Sequence, residues 1–240
     1  MTIHLPYLEN PNTPFPAVET ALSDPDGLLA FGGDLSPIRL LSAYQNGIFP
    51  WYSHDDPILW WSPSKRAILK PSEFTPSKSL KKCLRQSYYQ VSLNKATKEV
   101  IELCASTRSA EETWITTEMQ QAYIDLIKLG HCHSIEVWDG EQLVGGLYGL
   151  LIGKVFCGES MFSLQTNTSK IAFWHLCYYF DSIGGKLIDC QLENAHLISL
   201  GVNIFERSVF IQTLQQLTTK TIERDLLSPR TLHAPTAAKE

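Results

Sequence analysis

Asp189, Gln191 and Glu159 are the side chains best spaced in this sequence to hold a polar substrate and move a proton. The stretch LIDCQLENAH, residues 187–196, sets Asp189, Cys190, Gln191, Glu193, Asn194 and His196 behind the apolar pair Leu187-Ile188. On a strand, residues two apart share a face, so Asp189 and Gln191 project together. Cys190 then faces away and reads as a core thiol. If VFCGESMFS lies alongside, Glu159 joins them. Two carboxylates and an amide at adjacent strand ends can orient a substrate and exchange a proton with it. A hydrogen-bonded polar cluster that merely closes a sheet end fits the pattern equally well.

Other constellations are weaker. His131 and His133 share a strand face, but a zinc site needs further ligands and no spacing supplies them. Ser160 lacks the GxSxG frame of a nucleophile elbow, because Phe162 stands where the glycine belongs. Gly32-Gly33-Asp34 precedes a helix start and reads as a tight turn, since neither a P-loop nor GxGxxG follows a strand. The six cysteines are scattered without a CxxC pair, which favours free thiols in a reducing cytoplasm. Trp51, Trp60, Trp61 and Trp114, with Phe49 and Tyr52, could stack nucleobases. They could equally form the core of a small N-terminal domain, and spacing alone leans that way.

Charge is distributed unevenly. The net charge is −5 over 240 residues, a weak argument against a nucleic-acid partner. Yet Lys65, Arg66, Lys70, Lys78, Lys81, Lys82 and Arg85 cluster with only Glu73 opposing them. Such a strip can hold phosphates. No apolar run is long enough to span a membrane. The first residues lack the basic and apolar regions of a signal peptide.

These residues need elements to carry them. Ser36-Pro37 is an N-cap followed by proline at the first helical position, and Gly47 ends that helix. The segment 47–69 is aromatic and broken by proline, suited to short strands. From Pro76, SKSLKKCLRQ forms a helix with Leu80, Cys83 and Leu84 inward and the basic residues outward. Helices are also expected in NKATKEVIELCAS and, capped at Thr116 or Thr117, in TTEMQQAYIDLIKLG. Residues 131–163 alternate as a three-stranded meander, with turns at Asp139-Gly140 and Gly153-Lys154. A helix to Gly184-Gly185, a parallel strand KLIDCQ, a helix in AHLISLG, a strand NIFE and a last helix complete the chain. The expected class is α+β. A small mixed N-terminal domain (1–75) precedes an acetyltransferase-like domain (76–232) with a mixed sheet flanked by helices. The boundary lies between 65 and 110, and a tail (233–240) frays.

Several strings resemble a known family when taken together. They are GLLAFGGDLSPIRLLSAYQNGIFPWY, ILWWSPSKRAIL, TWIT, GHCHSIEVWDGEQLVGGLYGLLIGKVFCGESMFS and GGKLIDCQLENAHLISLG. They resemble the leucyl/phenylalanyl-tRNA–protein transferases, from about residue 14 to about 210. That resemblance implies transfer of Leu or Phe, less readily Met, from aminoacyl-tRNA to proteins beginning with Arg or Lys. The product carries an N-terminal degradation signal. It implies an acetyltransferase-like fold, no metal, no cofactor and a cytoplasmic enzyme; a monomer is the default. By the same resemblance Asp189, Gln191 and Glu159 form the reaction centre, with Asn194 close by. Trp51 and Trp114 pack around the terminal adenosine. Leu147, Phe156, Leu176, Phe180 and Ile188 surround the transferred side chain. Lys78, Lys81, Lys82, Arg85 and Arg66 meet tRNA. Asp189 either accepts the proton of the attacking amine or only positions it.

Departures from the family's pattern occur at Lys78, at the SPSKR stretch, at Thr168 and beyond residue 210. Two rival classes remain. An acyl-CoA N-acyltransferase of the same fold would need a glycine-rich pyrophosphate loop, where this chain reads LQTNTSK. A non-catalytic RNA-binding module would bind charged tRNA without turnover.

Overall fold

The computed structural model describes residues 5–10, 12–107 and 114–235. In chain order its elements are β1 (Tyr7–Leu8), β2 (Leu28–Gly32), α1 (Pro37–Gln45), β3 (Phe49–Pro50), β4 (Leu59–Trp61), β5 (Lys65–Leu69) and α2 (Lys78–Gln86). Then come β6 (Gln90–Leu93), α3 (Thr97–Ser106), α4 (Thr117–Lys128), β7 (Cys132–Asp139), β8 (Gln142–Ile152) and β9 (Val155–Ser163). The chain closes with α5 (Thr168–Ser182), β10 (Leu187–Asp189), α6 (Ala195–Ser199), β11 (Asn203–Glu206), α7 (Arg207–Thr218) and β12 (Arg230–Leu232). The class is α+β.

Two sheets form. The small one runs β1-β2-β4-β3, and the large one runs β11-β5-β10-β9-β8-β7-β6-β12. The meander β7-β8-β9 turns at Gly140 and Gly153, both at positive φ, which a glycine adopts without a Cβ penalty. β10 returns beside β9 in parallel, Leu187 opposite Val155, after the α5 crossover. β5 lies on the far side of β10 and antiparallel to it, with Ile188 opposite Leu69. The change of sheet therefore falls between Trp61 and Lys65, N-terminal to the expected boundary at 75. Most of the expected tail, from residue 236, lies outside the described residues.

Strand neighbours point to opposite faces and divide into two apolar layers. Tyr148, Cys157 and Leu187 join a layer with α1, α3, α4 and the small sheet, while Leu147, Phe156 and Ile188 join one with α5 and Leu80 of α2. The helices start where the sequence supplies caps: Ser36, Ser77 and Thr116 each accept a backbone N–H from the third residue on. α3 has no such cap. Buried Glu136 of β7 instead accepts the N–H of Ala96 and the hydroxyls of Ser92 and Ser134. Among the described residues, no helix is long and apolar enough to cross a membrane.

Candidate active site

β9 and β10 pair only as far as Cys157 opposite Asp189, and β9 then runs on to Ser163 paired with β8 alone. A cavity of about 810 Å³ opens in that fork. Its apolar part is lined by Leu147, Phe156, Met161, Phe173, Leu176 and Ile188; Glu159, Gln191, Asn194, Trp51 and Trp114 lie on its other walls. One chamber thus joins a slot for a large apolar group to a polar corner.

Glu159 reaches that corner through a β-bulge. On β8, Tyr148 pairs with Ser160 and Gly149 with Gly158, so Glu159 is the extra, unpaired residue. Such a bulge re-aims a side chain. Gly149 makes it feasible, because a Cβ there would stand 2.2 Å from the Cys157 carbonyl oxygen. The Glu159 carboxylate accepts Tyr123 Oη at 2.6 Å on one oxygen and Gln191 Nε2 at 2.9 Å on the other. Tyr44 Oη lies 2.8 Å from Tyr123 Oη and extends the chain inward. Burial, opposed by these hydrogen bonds, pushes Glu159 up to about 7. A carboxyl at that value exchanges protons readily near neutral pH.

Asp189 and Gln191 do not share a strand face. β10 ends at Asp189, and Gln191 adopts φ 63°, the left-handed region. The turn sends Gln191 into the cavity and leaves Asp189 behind it, 1% exposed and outside the lining. Its oxygens take the Arg66 fork, Nε at 2.8 Å and Nη2 at 2.7 Å. One of them also accepts the Gln191 N–H at 3.0 Å. Asp189 is a fixed anion behind the site, not a free base facing a substrate.

Arg66 also departs from expectation. It is 1% exposed, and its third contact is the Gly47 carbonyl at 3.0 Å. Phe49 and Phe210 flank its guanidinium at 4.8 and 4.7 Å from their ring centroids. A group so enclosed cannot meet a tRNA phosphate. Phe180, too, stands outside the cavity: it packs edge-on against Phe156, centroids 6.1 Å apart, and backs the slot wall. Cys190 faces away from Asp189 as expected, but that side is the cavity, so it is a half-buried cavity residue and not a core thiol. Burial raises its thiol, so it stays protonated. His133 is buried against Asn94 Nδ2 at 2.8 Å and held neutral, down to about 4.

The tryptophans divide between the two readings. Trp60 is fully buried and donates to the Gly32 carbonyl, whereas Trp51 is 42% exposed at the cavity rim. Trp61 packs edge-on against Trp51, centroids 5.6 Å apart. Lys78, Lys82 and Arg85 project from α2 into solvent and Lys81 is half-buried. Phe74, just before that helix, packs edge-on against the cavity residue Phe173.

Met161, Phe173 and the tyrosines Tyr44 and Tyr123 escaped sequence reasoning. Tyr44 and Tyr123 arrive from α1 and α4, far off in the chain, and no local pattern announces them. The bulge did leave a signal, since glycines inside strands, Gly149 and Gly158, mark such irregularities.

Comparison with known proteins bears on the same residues. A family model described as "Leucyl/phenylalanyl-tRNA protein transferase" matches residues 68–215, and one for the N-terminal domain of that transferase matches 33–64. A curated Leucyl/phenylalanyl-tRNA--protein transferase of Aliivibrio salmonicida is 60% identical over 97% of this chain and 99% of its own. That of Photobacterium profundum is 58% identical over 98% and 99%, and that of Vibrio vulnificus 56% over 97% and 98%. A solved structure of L-PGS from Bacillus licheniformis aligns with 69% of this chain and 53% of its own, at 10% identity and a TM-score of 0.37, and carries no weight here. With a model spanning 68–215 and relatives matched nearly end to end, the chain belongs to the leucyl/phenylalanyl-tRNA protein transferase family and is an aminoacyltransferase.

Proposed function

We propose that the protein takes Leu or Phe, and less readily Met, from its tRNA and joins it to the α-amine of polypeptides beginning with Arg or Lys. The observation that carries this reading is the single cavity with an apolar slot at one end and Glu159 with Gln191 at the other. Leu147, Phe156, Met161, Leu176 and Ile188 receive the transferred side chain. A slot of this kind selects by size, roughly 10–200-fold per methylene. Trp51 and Trp114 pack around the terminal adenosine, and Lys78, Lys81, Lys82 and Arg85 hold tRNA phosphates.

The nucleophile is the acceptor's own α-amine, and the tRNA ester is already activated. An α-amine has a reference value near 8, so it loses its proton at little cost near neutrality. Glu159, facing the cavity and pushed up to about 7, is the group suited to accept that proton. Gln191 fixes one Glu159 oxygen and Tyr123 the other, so the carboxylate is held before substrate arrives. Its charge also suits an acceptor that begins with a cation. Asp189 supports this corner from behind. The test is transfer of labelled Leu from Leu-tRNA to an Arg-initiated peptide, beside the same peptide with its α-amine acetylated. Transfer to the blocked peptide would contradict the amine as nucleophile.

A further inference from the structure

We propose that Arg66 is a positioning residue for aminoacyl transfer, holding Asp189 so that the turn after β10 presents Gln191 to Glu159. The proposal rests on the function proposed above. Arg66 lines no part of the cavity, yet a continuous chain of polar contacts runs from it to the reaction corner. Its fork grips both Asp189 oxygens at 2.8 and 2.7 Å. Asp189 accepts the Gln191 N–H at 3.0 Å, and Gln191 Nε2 donates to Glu159 at 2.9 Å.

The turn needs such support. Gln191 sits at φ 63°, where a Cβ crowds the following carbonyl. β5 holds it twice. Ala67 donates to the Gln191 carbonyl at 3.0 Å and accepts the Cys190 N–H at 2.8 Å. Arg66, one residue earlier, secures the side-chain end through Asp189. The guanidinium is itself fixed by the Gly47 carbonyl and by the faces of Phe49 and Phe210. A buried ion pair is a poor way merely to hold a sheet together, because an apolar pair of equal volume often serves as well. What the planar fork adds is direction, which a lysine ammonium cannot supply.

Three proteins test this by steady-state transfer of Leu to an Arg-initiated peptide: the parent, Arg66→Ala and Arg66→Lys. Near-UV dichroism monitors the fold. Misplacing a reacting group by about 1 Å can cost about a hundredfold, so kcat of Arg66→Ala is expected to fall by about that factor. KM for Leu-tRNA stays unchanged, since Trp51, Trp114 and the slot are untouched. Millimolar guanidinium chloride, far below denaturing levels, is expected to restore much of the lost kcat by filling the space between Phe49 and Phe210. Urea at the same concentration should do nothing. Arg66→Lys, with charge but no fork, is expected to lose kcat by at least about tenfold and to gain nothing from guanidinium. Parent-like kcat in either folded variant overturns the proposal. So does loss in both variants that follows loss of fold and resists guanidinium, which would make Arg66 a folding residue only. A parent that transfers nothing sinks the functional reading first, an outcome distinct from either.

Discussion

Glu159→Gln changes one oxygen for an amide nitrogen and removes the charge at the cavity corner. Its effect on stability can be worked from the burial of that carboxyl. Burial lifts Glu159 from an ordinary value near 4.5 to about 7. A carboxyl raised in the native chain keeps its proton where the unfolded chain has already lost it. Its contribution is therefore intact below about 4.5 and drains away as the pH climbs to about 7, then levels off. The glutamine variant lacks this term. Taking 4.5 unfolded and 7 folded, the linkage relation makes the parent lose roughly 2.5 kcal/mol relative to the variant between pH 5 and pH 8. For a chain of this size that is roughly 5–10 °C in Tm. Comparing each protein's change across pH cancels whatever the substitution does to local hydrogen bonds. The assay is urea unfolding of both proteins followed by tryptophan fluorescence at half-unit pH steps. A stability gap that stays constant from pH 5 to pH 8 would overturn this expectation, because Glu159 would then titrate like a surface carboxylate. The same variant should lose about a hundredfold or more in single-turnover transfer, the usual range for a lost general base. The limb near pH 7 should vanish from its rate profile, leaving only that of the amine near 8.

Further outcomes follow from the other walls. Met161→Ala widens the slot and should lower kcat/KM for Leu-tRNA by roughly 10–200-fold while disfavouring Phe-tRNA less, read from paired donor kinetics. Trp51→Ala removes a half-exposed stacking surface worth roughly 1–3 kcal/mol, so KM for aminoacyl-tRNA should rise about 5- to 150-fold with Tm unchanged. Lys81→Glu with Lys82→Glu should weaken tRNA binding and lower its salt slope by about 2, measured by filter binding across a salt series. An unchanged slope would remove the α2 strip from the tRNA footprint.

The fold was legible where local chemistry decides it. Asp139-Gly140 and Gly153-Lys154 mark the meander turns, Ser36 and Thr116 cap their helices, and Gly184 ends α5 at φ 89°. The parallel return of β10 followed from the length of the crossover helix. What escaped the sequence depends on distant partners. β5 reads as a short strand of an N-terminal segment, and only its pairing with β10 and β11 places it in the large sheet. Arg66 reads as one of a basic run, yet its neighbours' alternation turns it inward toward Asp189. The candidate site was legible as a set of residues and not as a geometry. Glu159, Gln191, Asn194, Trp51 and Trp114 line one cavity. The period-two rule failed for Asp189 and Gln191 because the strand stops between them and the backbone turns left-handed.

Acceptor choice separates the proposed function from its rivals in a single assay. Labelled Leu-tRNA is offered with four peptides identical except for a first residue of Arg, Lys, Ala or Glu. Label is expected in the Arg and Lys peptides and in neither of the other two. Equal labelling of all four, or label in none while the charged tRNA is bound, would contradict an enzyme that joins Leu to Arg- and Lys-initiated chains.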